Sequence, residues 1–255
     1  MGAASCKSSR NTTVTPNITP VSSNKKYQEM ANKGFLFMLE FTIGYHGHSQ
    51  ADLLEVWTQE IQEVLESKKN GTVLQAWKVV GERKAYVVYQ AESCDSMDKI
   101  SFDSPIMKKL GDQVTIKSSL LRPYYSWYKE LKERLSDDSE VLEDLPSKFD
   151  PENAKANYYL VTMDIGYEGL KQEELLKIWY QEALRAVKAK NLGHVVDIFK
   201  VTAERLVHII FNLPNAGALD KLMLNVPLSK EIGDRVKTDI KVVIPYEQFL
   251  SMLQG

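Results

Sequence analysis

The sequence predicts an α+β protein in which two βαββαβ units set their sheets face to face as one barrel. Three observations carry that expectation. The stretch "IGYHGHSQADLLEVWTQE" at 43–60 returns as "IGYEGLKQEELLKIWYQE" at 165–182. Residues 43–124 align with 165–246 at a constant offset of 122, without a gap, and 26 of the 82 positions are identical. Within each copy, two-residue alternation gives way to helical spacing and then returns, so each copy is long enough to hold a core of its own, unlike one unit of a solenoid.

The first strand of each copy runs over 35–43 and 158–165, where Glu40 and Thr42, or Thr162 and Asp164, alternate with apolar neighbours. A helix follows. In the first copy Leu53, Leu54, Trp57, Ile61, Val64 and Leu65 share one face, Ser49 with Asp52 makes a capping box, and Gly71 ends the helix as Gly193 ends its counterpart. Two strands then pair about a tight turn at Gly81, Glu82 and Arg83, over 73–80 and 84–90, with counterparts at 195–202 and 205–211. A shorter helical segment around 97–100, or 219–224, leads through Pro105 or Pro227 to a last strand at 114–121 or 236–244.

That order is the ferredoxin-like split unit. Its four-stranded sheet carries both helices on one face and leaves the other bare. Two such faces can cover each other, so the fold predicted is two ferredoxin-like βαββαβ repeats forming an intrachain dimeric α+β barrel. Four segments result: a basic N-terminal tail at 1–33, the first repeat at 34–124, a linker at 125–156 and the second repeat at 157–250. The linker holds nine acidic and four basic residues between 129 and 152, which predicts a solvated excursion with one short helix near 127–135.

Composition narrows the function classes. Lys plus Arg is 32 and Asp plus Glu is 34, a net charge of −2, so no broad positive field exists for a phosphate backbone and nucleic acid is excluded as an expected partner. The longest apolar runs fall far short of the ~20 residues of a membrane-spanning helix. The N-terminus lacks the apolar stretch of a secretory signal, and two cysteines, Cys6 and Cys94, make no disulfide framework, so a reducing, cytoplasmic compartment is expected. A phosphate-binding glycine loop, a nucleophile elbow and a zinc-binding histidine pair are all missing; His46 and His48 flank Gly47 with no third ligand. No cofactor and no metal is expected.

"LQAWKVVGERKAYVVYQAES" in the first copy and "LDKLMLNVPLSKEIGDRVKTDIKVVIPY" in the second resemble the muconolactone isomerases. These are small dimeric α+β barrels that shift a double bond in an unsaturated lactone by proton transfer. Ala76 to Gly81 carries that family's strand motif with Lys78 in place of arginine, and Val226, Pro227 and Leu228 keep most of its proline motif. Ala203 replaces the motif glycine in the second copy, and Asp98 and Asp220 stand where the family has a helix histidine. The departures lie at polar positions, so the resemblance implies the fold more firmly than the reaction.

Strand alternation points Glu40, Thr42, Thr162 and Asp164 into the space between the sheets. A carboxylate desolvated there would have its pKa raised toward a range useful for moving a proton beside a carbonyl. Glu40 and Asp164 are therefore acid/base candidates, or else structural ion-pair partners of Lys78 and Lys200. His208 stands where the first copy has Tyr86, and either titrates near neutrality as a third catalytic candidate or keeps a buried hydrogen bond. Trp77, Lys78, Tyr86 and Lys200 are the substrate-binding candidates; of Trp77 and Lys78, one must line the inter-sheet space and the other point away.

The N-terminus sets Gly2 behind the initiator methionine and Cys6 close by, in a tail of net charge +4. Two readings stay open: myristoylation at Gly2 with palmitoylation at Cys6, giving peripheral membrane contact, or a plain polar leader. Two functions also stay open. One is an isomerase that moves a proton and a double bond in a small lactone or enol held between the sheets. The other is a non-catalytic module binding a small apolar molecule or a protein partner, with a homo-oligomer compatible with either.

Overall fold

The computed structural model describes residues 34–153 and 156–255. Gly2, Cys6 and the rest of the basic tail lie outside the described residues. β1 (Phe35–Ile43) and α1 (Gln50–Asn70) lead to the hairpin of β2 (Val73–Val79) and β3 (Lys84–Ala91); α2 (Cys94–Asp103), α3 (Pro105–Leu110) and β4 (Val114–Pro123) follow, then α4 (Tyr124–Arg134). The second half has the same order: β5 (Tyr158–Ile165), α5 (Gln172–Leu192), β6 (Val195–Val201), β7 (Leu206–Asn212), α6 (Ala216–Met223), α7 (Pro227–Ile232), β8 (Val236–Pro245) and α8 (Tyr246–Gln254). The single short helix expected between the third and fourth strands is two, because Pro105 and Pro227 each sit at the start of a new helix rather than merely ending the one before.

Local sequence explains the long helices. The Ser49 hydroxyl accepts from the Asp52 amide at 3.1 Å while the Asp52 carboxylate accepts from the Ser49 amide at 2.9 Å. At the other end Gly71 sits at φ +88°, and Gly193 does the same for α5 at φ +87°, a left-handed turn that costs glycine nothing. The hairpin turn shows the converse: Gly81 takes φ +75°, and Ala203 is held at φ +63° at the matching place.

All eight strands close into one antiparallel barrel in the order β1, β3, β2, β8, β5, β7, β6, β4. Two seams join the halves. At one, Trp77, Lys78 and Val79 of β2 pair with Pro245, Ile244 and Val243 of β8; at the other, Leu121, Arg122 and Pro123 of β4 pair with Val201, Lys200 and Phe199 of β6. Alternation divides the apolar residues among three cores. Leu36, Met38, Trp77, Val88, Tyr158, Leu160, Phe199 and Ile210 fill the barrel, whereas the opposite strand faces pack under α1 in the first half and under α5 in the second.

The terminal helices cross over. α4 leaves the first half and packs on α5, with Trp127 against Trp179 at 5.2 Å and Tyr128 stacked on Tyr180 at 5.9 Å. α8 returns the exchange, setting Phe249 against Trp57 at 5.1 Å. The segment beyond α4 is not the free excursion its charge suggested, because specific bonds pin it. Lys190 pairs with Asp144 at 2.7 Å, the Tyr125 hydroxyl donates to the Leu142 carbonyl, and Phe149 covers the barrel core against Trp77 at 5.1 Å and Tyr158 at 5.5 Å.

Halving the chain should therefore expose much of what the other half covers. A fragment of residues 34–124 loses the seam partners of β2 and β4 and bares the barrel face of its sheet, a contiguous apolar surface that drives association. In size-exclusion chromatography with light scattering it should run as a dimer or larger. A monodisperse monomer would contradict the closed barrel.

Candidate functional site

At one end of the barrel the apolar filling gives way to two matched polar pairs. Glu40 on β1 stands directly across from Tyr86 on β3 and bonds its hydroxyl, and Thr162 on β5 stands across from His208 on β7, with 2.9 Å between Thr162 Oγ1 and His208 Nδ1. The negative charge of Glu40 acts on His208, so the two pairs face a common space. Burial raises the Glu40 carboxyl, but the Lys84 ammonium 2.9 Å away, the Lys117 charge and the Tyr86 hydroxyl more than reverse this, and its pKa lies below the ordinary value. This corrects the expected upward shift: the ion pair forms with Lys84, not Lys78. Burial pushes His208 down to about 4 despite Glu40, so its ring is neutral at pH 7.

The remaining predicted residues separate. Asp164 is exposed, one step beyond the covered part of β5, so it is not desolvated as expected. Trp77 does line the barrel interior, 1% exposed, and donates from Nε1 to Gln75 Oε1 at 2.9 Å. Gln75 in turn donates to Asp197 Oδ2 at 3.2 Å, which ties each half to its counterpart position in the other. Matching bulges in β2 and β6 aim both residues at this central contact, and burial raises the Asp197 carboxyl to about 6.

Lys78 and Lys200 point the other way, away from any inter-sheet ligand. Lys78 Nζ donates to the carbonyls of Val79 and Glu82 and lies 5.0 Å from the centre of the Trp57 ring; Lys200 Nζ donates to Val201 and Glu204 and lies 5.0 Å from Trp127. Each ties down a hairpin turn under an aromatic roof, and burial lowers the pKa of both.

Sequence reasoning passed over two carboxyls. Glu60 on α1 and Glu182 on α5 occupy the same place in their helices and are 4% and 9% exposed. Each serves the start of the following short helix: the Ile106 amide donates to Glu60 at 3.0 Å, and the Leu228 amide donates to Glu182. Burial raises both to about 7. The signal was present, because Glu60 lies three residues after Trp57 and seven after Leu53, on the buried stripe, and the glutamate recurs 122 positions later.

The two carboxyls differ in what else they touch. Ser104 also donates to Glu60, but Val226 stands at the matching position and has nothing to offer Glu182. Glu182 Oε2 is buried without a hydrogen-bond partner among the described residues. It borders a small recess of about 50 Å³ between α5, the outer face of the sheet and the α6 region, lined by Met163, Ala186, Ile209, Phe211, Leu222 and Val226 among others. A buried, unsatisfied and near-neutral acid at the border of an apolar recess is what marks this place as the candidate site.

Fold and cleft together define an eight-stranded antiparallel α+β barrel with a recess under its helices. Among solved structures, the chain resembles chlorite dismutase from Candidatus Nitrospira defluvii: a mutant in complex with cyanide aligns over 90% of this chain and 99% of that one, with TM-score 0.53 and 14% identity. The same enzyme in complex with imidazole aligns over 90% and 100%, with TM-score 0.51 and 12% identity. At such identity the likeness extends to the fold. No protein-family model matches the sequence, and no curated protein matches it either.

Proposed function

We propose that the protein is a muconolactone isomerase-like α+β barrel, built by tandem duplication of a ferredoxin-like unit, that transfers a proton on a small lactone- or enol-type molecule. The observation that carries this reading is Glu182 Oε2, buried and unpartnered beside an apolar cleft. Burial holds its carboxyl near pH 7, where it can both take and return a proton. The step is a balanced one: the carboxylate takes a proton from a carbon next to the conjugated system, the C–H electron pair moves into a dienolate, and the carboxylic acid returns the proton to another carbon. The reacting molecule sits under α5 rather than between the sheets, where Trp77, Tyr158 and Phe199 already fill the space.

A second reading keeps the chemistry at the barrel end, favoured by the facing pairs Glu40–Tyr86 and Thr162–His208, with Asp164 farther out. Hydrogen exchange separates the two. Furan-2(5H)-one incubated with the protein in D2O and followed by proton NMR should lose its γ-proton signal faster than in buffer, and Glu182→Gln should slow that exchange by ~10²-fold. Exchange lowered by Glu40→Gln and untouched by Glu182→Gln would transfer the role to the barrel end. Binding with no exchange would identify a non-catalytic ligand carrier.

A further inference from the structure

The two seams that close the barrel are short, and each leaves part of a long strand open on one side. Among the described residues β8 pairs with β5 along Val236–Val243 but meets β2 only at Val243–Pro245, with one further bond from the Val80 amide to the Val242 carbonyl at 2.9 Å. That bond fixes the direction of the backbone. In an antiparallel ladder successive residues aim their N–H and C=O groups to opposite sides, so the even-numbered residues of β8 face away from β5, while Arg235 at its start faces the β5 side and accepts from Gly166. Thr238 and Ile240 therefore present their backbone along an open edge. Apolar side chains flank it: Ile240 is 41% exposed, Val242 48% and Val80 50%. β4 has a matching edge before Leu120, because it meets β6 only at Leu121–Pro123 and through the Leu120 carbonyl.

An open strand edge is a template for another strand, and charged side chains usually guard it. On β8 the guard is self-complementary. Lys237, Thr238 and Asp239 are all exposed, and a second β8 laid antiparallel with Thr238 opposite the partner's Thr238 sets Lys237 across from the partner's Asp239, and Asp239 across from the partner's Lys237. Ile240 then falls opposite the partner's Val236. The neighbouring registers fail. Centring on Asp239 opposes that acid to the partner's Asp239 and Lys237 to the partner's Lys241. Centring on Ile240 requires Lys241 and Val242, which the β2–β3 hairpin already engages through Glu82 at 3.0 Å and Val80. Asp239 lies 3.8 Å from Lys241 of its own strand, with 62% of its side chain still exposed to meet a partner. The β4 edge lacks this pattern: Lys117 stands where β8 has Asp239, and no acid occurs from Val114 to Leu120 to oppose it in a second copy.

We propose that β8 pairs antiparallel with β8 of a second copy of this chain about a twofold axis at Thr238, joining two barrels edge to edge. Thr238 exchanges both backbone bonds with the partner's Thr238, and the Ile240 amide donates to the carbonyl of the partner's Val236; the Val236 amide is already engaged by the Gly233 carbonyl. A contact over so few residues lies at the small end of specific interfaces, below ~1,200 Å², so the dimer forms reversibly as concentration rises.

Sedimentation velocity of the full chain over a concentration series tests this, with crosslinking to fix the register. The wild-type protein should pass from monomer to dimer. Thr238→Pro deletes an amide that points away from β5, so its thermal unfolding should stay near wild type while the dimer is lost. Lys237→Glu opposes two acids at each of the two equivalent pairs and should weaken association roughly tenfold, and adding Asp239→Lys should restore it. With Cys6 and Cys94 changed to serine, Thr238→Cys should form an intermolecular disulfide under mild oxidation, because facing residues of a hydrogen-bonded pair lie ~5.5 Å apart at Cα. Ile240→Cys, more than ~13 Å from the partner's position 240, should not. A monomer at every concentration would overturn the proposal. So would a dimer that persists in folded Thr238→Pro, that Lys237→Glu leaves unchanged, or in which Thr238→Cys stays reduced, since the contact then lies elsewhere. Growth into open filaments would assign the β8 edge to β4 of the next chain and overturn the twofold pairing. If Thr238→Pro does not fold, the charge swap and the disulfide decide alone.

Discussion

Truncating Trp77 to alanine should cost about 3–5 kcal/mol of stability, the range for deleting a large aromatic side chain from a packed interior. Trp77 is 1% exposed at the middle of the barrel, where its ring meets Tyr158 at 5.2 Å and Phe149 at 5.1 Å. The truncation leaves a cavity and also strips Gln75 Oε1 of its donor, an unsatisfied buried acceptor that adds to the loss. For a domain of this size the midpoint of thermal unfolding should fall by roughly 6–20 °C. Trp77→Phe is the informative control: the other half already places Phe199 at the counterpart position, so a ring of that size fits the barrel and the remaining cost is mainly the lost Gln75 bond. Scanning calorimetry decides the matter. A fall below 2 °C for the alanine variant would show that the interior is not packed around this ring.

The barrel could be foreseen because its causes are local and doubled. Alternation on β1 and β5, the helical stripe from Leu53 to Val64 and the glycines at 71 and 193 each set one element, and the gapless repeat states the same elements twice. Other features depend on partners distant in sequence. Nothing near Phe149 says that it will cover Trp77, and nothing in "PYYSWYKELKER" says that this helix will pack on the other half.

The site was less legible for a related reason. Strand alternation correctly put Glu40 toward the barrel, but its ionisation is set by Lys84 and Lys117 from neighbouring strands, so direction alone could not give its pKa. Lys78 and Lys200 drew attention as cations next to aromatic residues, yet a lysine on a strand's helix-facing side can reach the turn carbonyls of its own hairpin. Glu60 and Glu182 were hidden by their setting. A glutamate in a helix rich in Glu and Lys looks like solvated surface until its spacing from Leu53 and Trp57 is followed.

Those two glutamates should make the protein less stable as pH rises from about 4.5 to about 7. Each carboxyl has an ordinary value of 4.5 and is raised to about 7 in the fold by burial. Between those values the native state keeps a proton that the unfolded chain has released, so raising the pH favours unfolding, by up to about 1.4 kcal/mol per pH unit for each group. Asp197 contributes in the same direction between 3.8 and about 6. His208 opposes them: its folded value of about 4 lies below the ordinary 6.5, so the unfolded chain binds the extra proton and stability rises with pH across that window. Asp197 largely offsets His208 up to about pH 6, so the two glutamates set the net slope there, and their effect fades as the pH passes about 7. Urea unfolding at a series of pH values should therefore show stability falling from about pH 5 to about pH 7 in the wild-type protein, most steeply in the lower part of that window. Glu60→Gln and Glu182→Gln should each remove part of that fall, and the double variant should remove nearly all of it. If the double variant follows the wild-type profile, these carboxyls ionise as though in water, and Glu182 loses the near-neutral pKa on which its role as proton carrier depends.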